Sequence, residues 1–437
     1  MKKYLSLTLA LTLLLSACTL FTGCGEKDTV VDDNQTEVET QTGAEDEAET
    51  ETETENEAET EVETETALGV SDLKVGFIFL HDENSTYDKN FIDAAKVATE
   101  KLGLADEQVI FKVNVPEDIA CYDTAAELAD DGCDLIFADS FGHEDFMIQA
   151  AEEFTDVVFC HATGTKAHTV NLPNYFNAFA SIYEGRYLVG VAAGLKLNAM
   201  IEAGDIKPEE AKMGYVGAHP YAEVKSGYTS FYLGAKSVCP TVTMDVKFTN
   251  SWFDIALEKE AANALINDGC VLISQHADSE GAPKACEEAG VPNVAYNLDT
   301  TIWGPNTALV SSKINWAPYF EHIITAVANG TAIEQDYCYG LKEESVQILG
   351  FNEKVAAEGT AAKLEEVKEK LISGEIKVFD TATFTVDGET LTSYIADVDD
   401  DGTFTPETEV IADGYFHESE YRSAPYFDID IDGINLK

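Results

Sequence analysis

Basic residues are scarce in this chain of 437 residues. It holds 27 lysines and arginines against 81 aspartates and glutamates, which gives a net charge of −54. Proteins that bind DNA or RNA need a basic surface to neutralise the phosphates. The charge balance therefore argues strongly against nucleic acid as a partner.

Long apolar runs are also missing, apart from one at the N-terminus. Residues 5–15 follow two lysines and form a run of the signal-peptide type, which is too short to span a bilayer. No other stretch approaches about 18 consecutive apolar residues. We therefore expect an exported protein that does not span the membrane.

The end of the apolar run predicts a lipid anchor. The letters LSAC, ending at Cys18, match the bacterial lipobox, in which the cysteine is diacylated and becomes the mature N-terminus. Cys24 is an alternative, but phenylalanine stands three positions before it, where Cys18 has leucine. We predict a signal peptide over residues 1–17 and lipidation at Cys18. The other interpretation is a plain cleaved signal peptide with chance cysteines.

Aromatic residues are absent from the segment that follows the lipobox. Residues 26–66 alternate glutamate and threonine and contain 18 acidic residues against one lysine. Such a segment repels itself and has nothing to bury, so we expect an extended, disordered tether over residues 18–68. The tether either holds the body away from the membrane or only adds solubility.

Paired CxxC cysteines are missing too. Seven cysteines follow Cys24, an odd number, and several lie among apolar residues of expected strands and helices. We expect buried free thiols, and neither a disulfide framework nor a metal site. The seven are Cys121, Cys133, Cys160, Cys239, Cys270, Cys286 and Cys338.

The common catalytic and nucleotide-binding motifs do not occur. The chain has no GxSxG, no P-loop, no HExxH and no GxGxxG after an expected strand. His276 and Asp278 stand two residues apart, but they make no metal constellation without further ligands. We therefore expect a binding protein that is not an enzyme and that carries no cofactor.

One acidic motif resembles the start of a calcium loop. Asp397, Asp399 and Asp401 precede a glycine in the DxDxDG pattern. The twelfth position is Thr408 and not glutamate. An acidic turn between strands is the favoured interpretation, with Ca²⁺ binding as the alternative.

What the sequence does contain is a repeated alternation of strand and helix patterns. Strands are expected at 73–80, 109–115, 135–138 and 157–160, then at 212–216, 242–248, 271–274 and 293–296, with amphipathic helices between them. This order predicts an α/β fold with parallel sheets. A strand and helix follow over 307–330, an amphipathic helix over 363–373, and a strand over 375–379.

The alternation restarts once, which predicts two doubly wound lobes. We assign residues 69–178 with 300–332 to the first lobe and residues 179–299 with 333–380 to the second. Residues 381–437 are acidic, with β character, and form a C-terminal extension. Ligand groups in such sheets lie on loops past the carboxyl ends of the strands.

Polar and aromatic side chains recur at five expected strand ends. The segments are 81–87, 139–143, 250–254, 275–279 and 297–299. The rings there are Tyr87, Phe141, Trp252 and Phe253, and the accompanying polar groups suit a flat neutral heterocycle. Anions are less suited, because no strand end offers arginine. Some of these residues, such as Asn84 and Asp254, could instead cap helices.

The segment from 73 to about 330 resembles the basic membrane protein (BMP) family, the purine- or purine-nucleoside-binding lipoproteins of ABC importers. The strongest matches, in chain order, are SFG at 140–142, FCHATG at 159–164, YEGRYLVG at 183–190, GYVG at 214–217, LGAKS at 233–237, NSWFD at 250–254, QHADS at 275–279 and INW at 314–316. Singly these motifs are short, but their order over about 260 residues is specific.

The resemblance implies two α/β lobes joined by a multi-strand hinge, as in type I periplasmic binding proteins. It also implies a base stacked between rings of the two lobes, with a permease and an ATPase as partners. Carried over, the best site candidates are Tyr87, Phe141, Trp252, His276 and Asp278, to which the strand ends add Asn84, Phe253 and Asn297.

Two departures from the family bear on the solute. Asn297 stands where nucleoside-binding relatives have an aspartate for the ribose hydroxyls, and Lys313 is the only candidate for an expected lysine. The solute is therefore a purine base or a nucleoside. The alternatives are a solute-sensing receptor without transport and a surface adhesin or immunogenic lipoprotein. We expect a monomer, because lobe closure needs a free cleft mouth.

Overall fold

Strands and helices alternate along the chain as the apolar pattern predicts. The structure is a computed structural model, and it describes residues 69–398 and 408–437. Its first elements are β1 (Val75–Ile78), α1 (Thr86–Leu102), β2 (Val109–Lys112), α2 (Ile119–Asp130), β3 (Leu135–Ala138), α3 (Glu144–Glu153), β4 (Val158–Ala162), α4 (Ala167–Val170) and β5 (Tyr175–Ala180).

The second run begins with the longest of the described helices. It comprises α5 (Ile182–Ala203), β6 (Lys212–Gly217), α6 (Ala222–Val238), β7 (Thr243–Phe248), α7 (Ile255–Asn267), β8 (Leu272–Gln275), α8 (Gly281–Ala289), β9 (Asn293–Tyr296) and β10 (Ala308–Ile314). Asp254 caps α7, because its side chain accepts hydrogen bonds from the amides of Ala256 and Leu257.

The remaining elements are α9 (Ala317–Asn329), β11 (Asp336–Tyr339), β12 (Val346–Leu349), α10 (Thr360–Ile372), β13 (Ile395–Ala396), β14 (Thr408–Glu409), β15 (Ile411–Ala412), β16 (Tyr415–Phe416) and β17 (Ile434–Leu436). Two sheets organise the two lobes. Lobe 1 has the order β11-β5-β4-β3-β1-β2, and lobe 2 has the order β12-β10-β9-β8-β6-β7-β17. All neighbours in these two sheets are parallel except β10 and β12.

The lobe boundaries drawn from the sequence need correction. Strand β10, assigned with residues 300–332 to the first lobe, pairs with β9 of lobe 2. Strand β11, assigned to the second lobe, pairs with β5 of lobe 1. The chain therefore crosses between the lobes at other residues than the periodicity indicates, because a strand belongs to the sheet with which its backbone pairs and not to the one that its apolar pattern suggests.

Three local expectations also differ from the structure. β5 was not predicted, although it forms an inner strand of lobe 1. Residues 375–379 were expected as a strand but form turns; their apolar side chains are buried instead against the extension, where the Phe379 ring stacks on Phe427 with centroids 4.4 Å apart. The extension was placed outside both lobes, yet β17 adds an edge strand to lobe 2 beside β7.

Lobe 2 depends on an unusually close contact between α5 and α6. A Cβ atom at Gly190 would lie 2.1 Å from the carbonyl oxygen of Phe231, and one at Gly234 would lie 2.1 Å from that of Tyr187. Backbone atoms of the two helices therefore touch where these glycines lie. The motifs YEGRYLVG and LGAKS thus encode a helix crossing.

We predict that Gly234→Ala lowers the free energy of unfolding by about 2–3 kcal/mol, because a backbone carbonyl cannot move aside without separating the helices. Gly185→Ala is the matched comparison, since its Cβ would meet a side-chain methyl group of Val346 at 2.6 Å. That methyl can turn away, so we expect a cost of about 1 kcal/mol. Chemical denaturation measures both, and equal costs would contradict this account of the crossing.

Candidate functional site

The carboxyl ends of both sheets face one narrow cleft. Its space is about 340 Å³, the open mouth included. Lobe 1 lines it with Leu80, His81, Tyr87, Asp88, Ser140, Phe141 and Thr163, and lobe 2 with Glu223, Trp252, His276 and Asp278. The strand-end segments predicted from the sequence therefore meet at a single place.

The N-terminus of α1 presents Tyr87 and Asp88 to the cleft. Ser85 caps this helix through the Asp88 amide, and its hydroxyl donates to Asp88 Oδ2 at 2.6 Å. The Tyr87 hydroxyl donates to the carbonyl oxygen of Asp139 at 2.8 Å, which fixes its ring. Burial opposes the charge of Asp88, but hydrogen bonds from His81 and Ser85 outweigh it, so the pKa of Asp88 lies below its usual range. Asp88 thus supplies a fixed carboxylate.

Phe141 lies in a short turn directly after β3. Glu117 holds this turn, because its Oε1 accepts hydrogen bonds from the Ser140 hydroxyl at 2.6 Å and from the Gly142 amide at 2.8 Å. The Phe141 ring is 39% exposed and stacks on Tyr221 of lobe 2, with ring centroids 5.3 Å apart. Phe141 therefore offers an aromatic face at the rim of the cleft.

Trp252 supplies the aromatic face of lobe 2. It follows β7 in a loop where Asn250 has a φ of 56°, a conformation that asparagine tolerates better than most residues. The carbonyl oxygen of Trp252 accepts a hydrogen bond from the Asp278 amide at 3.0 Å. The indole packs against His219, with centroids 4.8 Å apart.

Asp278 is buried where the two lobes meet. Its carbonyl oxygen accepts a hydrogen bond from the Thr86 amide at 2.9 Å, so the loop after β8 is joined to the start of α1. Burial, together with the nearby acids Glu258, Asp88 and Glu223, raises the pKa of the Asp278 side chain well above its usual range. A protonated Asp278 can both donate and accept a hydrogen bond.

His276 and Glu223 form a polar pair beside Asp278. His276 Nε2 lies 3.3 Å from Glu223 Oε1, and the Nδ1 atom of the same ring is buried without a partner among the described residues. Buried polar atoms ordinarily have partners. A Cβ atom at Gly227 would lie only 3.3 Å from this Nδ1 atom, so the nitrogen faces helix α6.

Arg186 anchors β8, the strand that is followed directly by the loop with His276 and Asp278. It is buried in α5, donates to the carbonyl oxygen of Gln275 at 2.9 Å and to the Tyr215 hydroxyl, and lies 5.1 Å from the centre of the Tyr296 ring. The arginine thus fixes the carboxyl end of β8. This role is not visible in the sequence, where Arg186 is one letter of a family motif.

Five of the eight predicted site residues lie together around the cleft: Tyr87, Phe141, Trp252, His276 and Asp278. The other three are placed differently. Asn84 is exposed outside the cleft, and its side-chain Nδ2 donates to Asp82 Oδ1 at 2.8 Å. The Phe253 ring packs on His81, with centroids 5.6 Å apart. Asn297 is buried behind Asp278, with its Nδ2 atom 3.5 Å from Asp278 Oδ1.

Sequence reasoning missed six lining residues: Leu80, His81, Asp88, Ser140, Thr163 and Glu223. His81 and Ser140 belong to strand-end segments already marked, and Thr163 stands in the FCHATG motif, so a signal for them existed. Glu223 carried no such signal, because it lies in the first turn of helix α6 and reaches the cleft only through the packing of lobe 2.

The remaining predicted sites lie partly outside the described residues. The two candidate lipidation sites, Cys18 and Cys24, lie outside the described residues, and so do Asp399 and Asp401 of the calcium-like motif. All seven later cysteines are free, and six of them are buried. Within residues 69–398 and 408–437, no cluster of three or more histidine, cysteine or acidic side chains is arranged to hold a metal. No helix in the same part of the chain is both long and apolar enough to cross a bilayer.

Comparisons with known proteins show which family this chain is similar to. The profile of the Bmp family, described as ABC transporter substrate-binding protein PnrA-like, matches residues 78–382. A purine-binding protein of Brucella abortus is 34% identical over 344 residues, which cover 75% of this chain and 93% of that protein. A putative ABC transporter glucose-binding protein of Haloferax volcanii is 29% identical over 311 residues, covering 71% and 72%.

Solved structures share the fold. An ABC transporter solute-binding protein from Aeropyrum pernix superposes with a TM-score of 0.60 at 19% identity, covering 70% of this chain and 93% of that one. A second, from Conexibacter woesei, has a TM-score of 0.55, also at 19% identity, and covers 70% and 98%. Both support the two-lobed α/β architecture.

The carboxyl group of Asp139 behind the cleft makes stability depend on pH. Its Oδ1 accepts from the Leu80 amide at 3.1 Å, and its Oδ2 is buried without a partner among the described residues. Burial and the nearby Asp88 raise the pKa of Asp139 well above 3.8. The folded state therefore retains a proton that the unfolded state has lost, and Asp139 costs stability as pH rises above about 4.

We predict that Asp139→Asn raises the free energy of unfolding at about pH 7 by about 1–2 kcal/mol and flattens its dependence on pH. Denaturation by urea at several pH values measures both quantities. Asp106 is exposed, so Asp106→Asn is the control for the change in net charge. We expect this substitution to have little effect on the free energy of unfolding. A loss of stability in Asp139→Asn at neutral pH would contradict the assignment.

Proposed function

This chain belongs to the Bmp family of PnrA-like ABC transporter substrate-binding proteins, and from that premise we propose that the solute it captures for import is a purine base or purine nucleoside. Members of this family are substrate-binding proteins, and the proposal is that this chain binds its solute without catalysing a reaction. The proposal concerns the identity of the solute, its contacts and the attachment of the protein to the membrane.

The observation that carries the proposal is the pairing of rings and hydrogen-bonding groups across the cleft. Phe141 from lobe 1 and Trp252 from lobe 2 offer faces on which a flat ring stacks. Asp88 accepts hydrogen bonds, and Asp278, whose pKa burial raises, also donates when it is protonated. A purine presents both donors and acceptors on its edge, which this set of groups can read.

One relative supports the same class of solute. The Brucella abortus protein, which is 34% identical, is a purine-binding protein. Asn297 lies close to Asp278 and can hydrogen-bond through its amide. Because an amide can hydrogen-bond with a base or with a hydroxyl group, the proposal includes both the free base and the nucleoside.

Capture proceeds by closure of the lobes. Tyr87, Asp88 and Phe141 belong to one lobe, whereas Trp252 and Asp278 belong to the other. A solute that touches both groups binds the closed form better than the open one, and only such differential contacts shift the equilibrium. The closed form is then the one that docks on a permease.

A thermal-shift screen of the purified protein tests the class of solute. Purine bases, nucleosides, sugars and amino acids form the panel. A ligand at 100 times its dissociation constant adds about 2.7 kcal/mol of stability, a readily visible shift. We expect shifts with purine bases or nucleosides. A response to sugars or amino acids with none to purines would overturn the proposed solute and leave the fold unaffected.

We predict that Phe141→Ala and Trp252→Ala each weaken binding of the best purine by about 1–3 kcal/mol, the scale of one lost stacking contact. Titration calorimetry measures the change. Phe253→Ala is the matched control, because this ring lies next to Trp252 in the chain but packs on His81. Wild-type affinity in both cleft variants would refute the stacking role.

Substrate-binding proteins of ABC importers act on the outer side of the cytoplasmic membrane. We propose that this one is held there by a lipid on Cys18, with the acidic segment over residues 18–68 as the tether, and that it works as a monomer. The apolar run over residues 5–15 and the lipobox letters before Cys18 support the anchor.

We predict that Cys18→Ala releases the protein from the membrane fraction and abolishes incorporation of labelled palmitate, because the diacylated residue is lost. Cys24→Ala is the control and should remain attached. Fractionation with immunoblotting and lipid labelling measures both. The reverse pattern would assign the anchor to Cys24, and retention of both variants would refute lipid anchoring.

A further inference from the structure

The C-terminal extension lies beyond the residues that the family profile matches, which end at 382. Its last part, residues 408–437, packs on the body of the protein, and we call it the strap. Apolar side chains of the strap, such as those of Phe416, Phe427 and Ile431, are buried. The strap is therefore a folded part of the molecule, and its contacts with the two lobes have defined geometry.

On lobe 2 the strap is held by strand pairing and by a lysine. Strand β17 adds to the sheet beside β7, and the Met244 amide donates to the carbonyl oxygen of Gly433 at 3.0 Å. Lys225 of α6 donates to the carbonyl oxygen of Asp428 at 2.9 Å, and its Nζ atom lies 3.0 Å from the Asp430 carboxylate. The strap is thus anchored to lobe 2 through its backbone.

On lobe 1 the strap is held by a pair of hydrogen bonds, which we call the clasp. The amide and the hydroxyl of Ser423 both donate to Asp336 Oδ1, each at 2.9 Å. Asp336 begins β11, which pairs with β5 of lobe 1. Ala424, the next residue of the strap, lines a space at the side of the cleft together with Thr163 of lobe 1 and Glu223 of lobe 2. The strap therefore spans the side of the cleft from one lobe to the other.

The two ends of the strap differ in how easily they separate from the lobes. Strand pairing holds one end, whereas the clasp consists of hydrogen bonds to one carboxylate. When the clasp opens, Asp336 Oδ2 can keep its contact with His168 Nδ1, 3.1 Å away within lobe 1, and water can replace Ser423. The clasp therefore shifts the balance between the open and closed forms without fixing the protein in one of them.

We propose that the strap is a built-in closing device: it stays on lobe 2, and its clasp on lobe 1 raises the share of the closed form before any solute binds. This inference rests on the lobe closure of the proposed function, but not on the identity of the solute. A solute that binds the closed form gains affinity in proportion to that share. Release of the solute then requires the clasp to open.

The test measures the distance between the lobes in the absence of solute. Ile119 begins α2 of lobe 1 and is 54% exposed, and Leu257 lies in the first turn of α7 of lobe 2 and is 42% exposed. Spin labels on Ile119→Cys and Leu257→Cys report the open and closed populations by pulsed electron paramagnetic resonance. Six of the seven cysteines after Cys24 are buried, and protein without the added cysteines is the labelling blank.

We expect Ser423→Ala to raise the ratio of open to closed form about fivefold, the effect of losing one hydrogen bond to a carboxylate. Asp336→Ala should raise this ratio further, because it removes both bonds of the clasp. Ser393→Ala is the matched control, since the Ser393 hydroxyl donates to Glu409 within the extension. This control should leave the distances unchanged.

Two further variants separate the clasp from local effects of the substitutions. The double variant with Ser423→Ala and Asp336→Ala should open no more than Asp336→Ala alone, because the two residues act through one contact. His168→Ala removes the other partner of Asp336 and should not open the cleft. A cooperative thermal transition shows that each variant is folded. Wild-type distances in both clasp variants, or equal opening in Ser393→Ala, would overturn the proposal.

The strap and the proposed solute fail in different ways. If no purine binds, the proposed solute falls, whereas the distances still test the strap because they are measured without solute. If purines bind and the clasp variants keep the wild-type distances, the proposed function stands and the strap proposal is overturned.

Discussion

The backbone hydrogen bond from the Thr86 amide to the Asp278 carbonyl oxygen, 2.9 Å long, is the contact on which the cleft depends. It joins the first turn of α1 in lobe 1 to the loop after β8 in lobe 2. Tyr87 and Asp88 follow on one side of this bond, and the Asp278 side chain lies on the other. The hydrogen bond therefore holds the polar groups with which the two lobes line the cleft close together.

Buried polar groups hold this arrangement at a cost in stability. Arg186 is buried and donates to the Gln275 carbonyl and the Tyr215 hydroxyl, and Asp139 Oδ2 has no hydrogen-bond partner among the described residues. A core selected for stability alone would replace such groups with apolar ones. Each of them positions a part of the cleft, because Arg186 fixes the end of β8 just before His276, and the Asp139 carboxyl accepts a hydrogen bond from the amide of the cleft residue Leu80.

How much of this could be predicted depends on how local each feature is. The alternation of strands and helices was predictable from periodicity, and strands β3 and β9 begin and end at the predicted residues. The location of five residues at the cleft was also predictable, because parallel strands all end at the same edge of a sheet. These residues are Tyr87, Phe141, Trp252, His276 and Asp278.

Features that depend on pairing between distant parts of the chain were not predictable. Strand β10 has the same apolar pattern whichever lobe it joins, and only its pairing with β9 assigns it to lobe 2. Glu223 reaches the cleft through the position of α6, and the extension contacts the two lobes through Ser423 and β17, which no periodicity encodes. The extension is joined to β11 of one lobe and β7 of the other. Under the proposed mechanism of lobe closure, opening of the cleft would break the contact between Ser423 and Asp336 or bend the extension, and either cost favours the closed form.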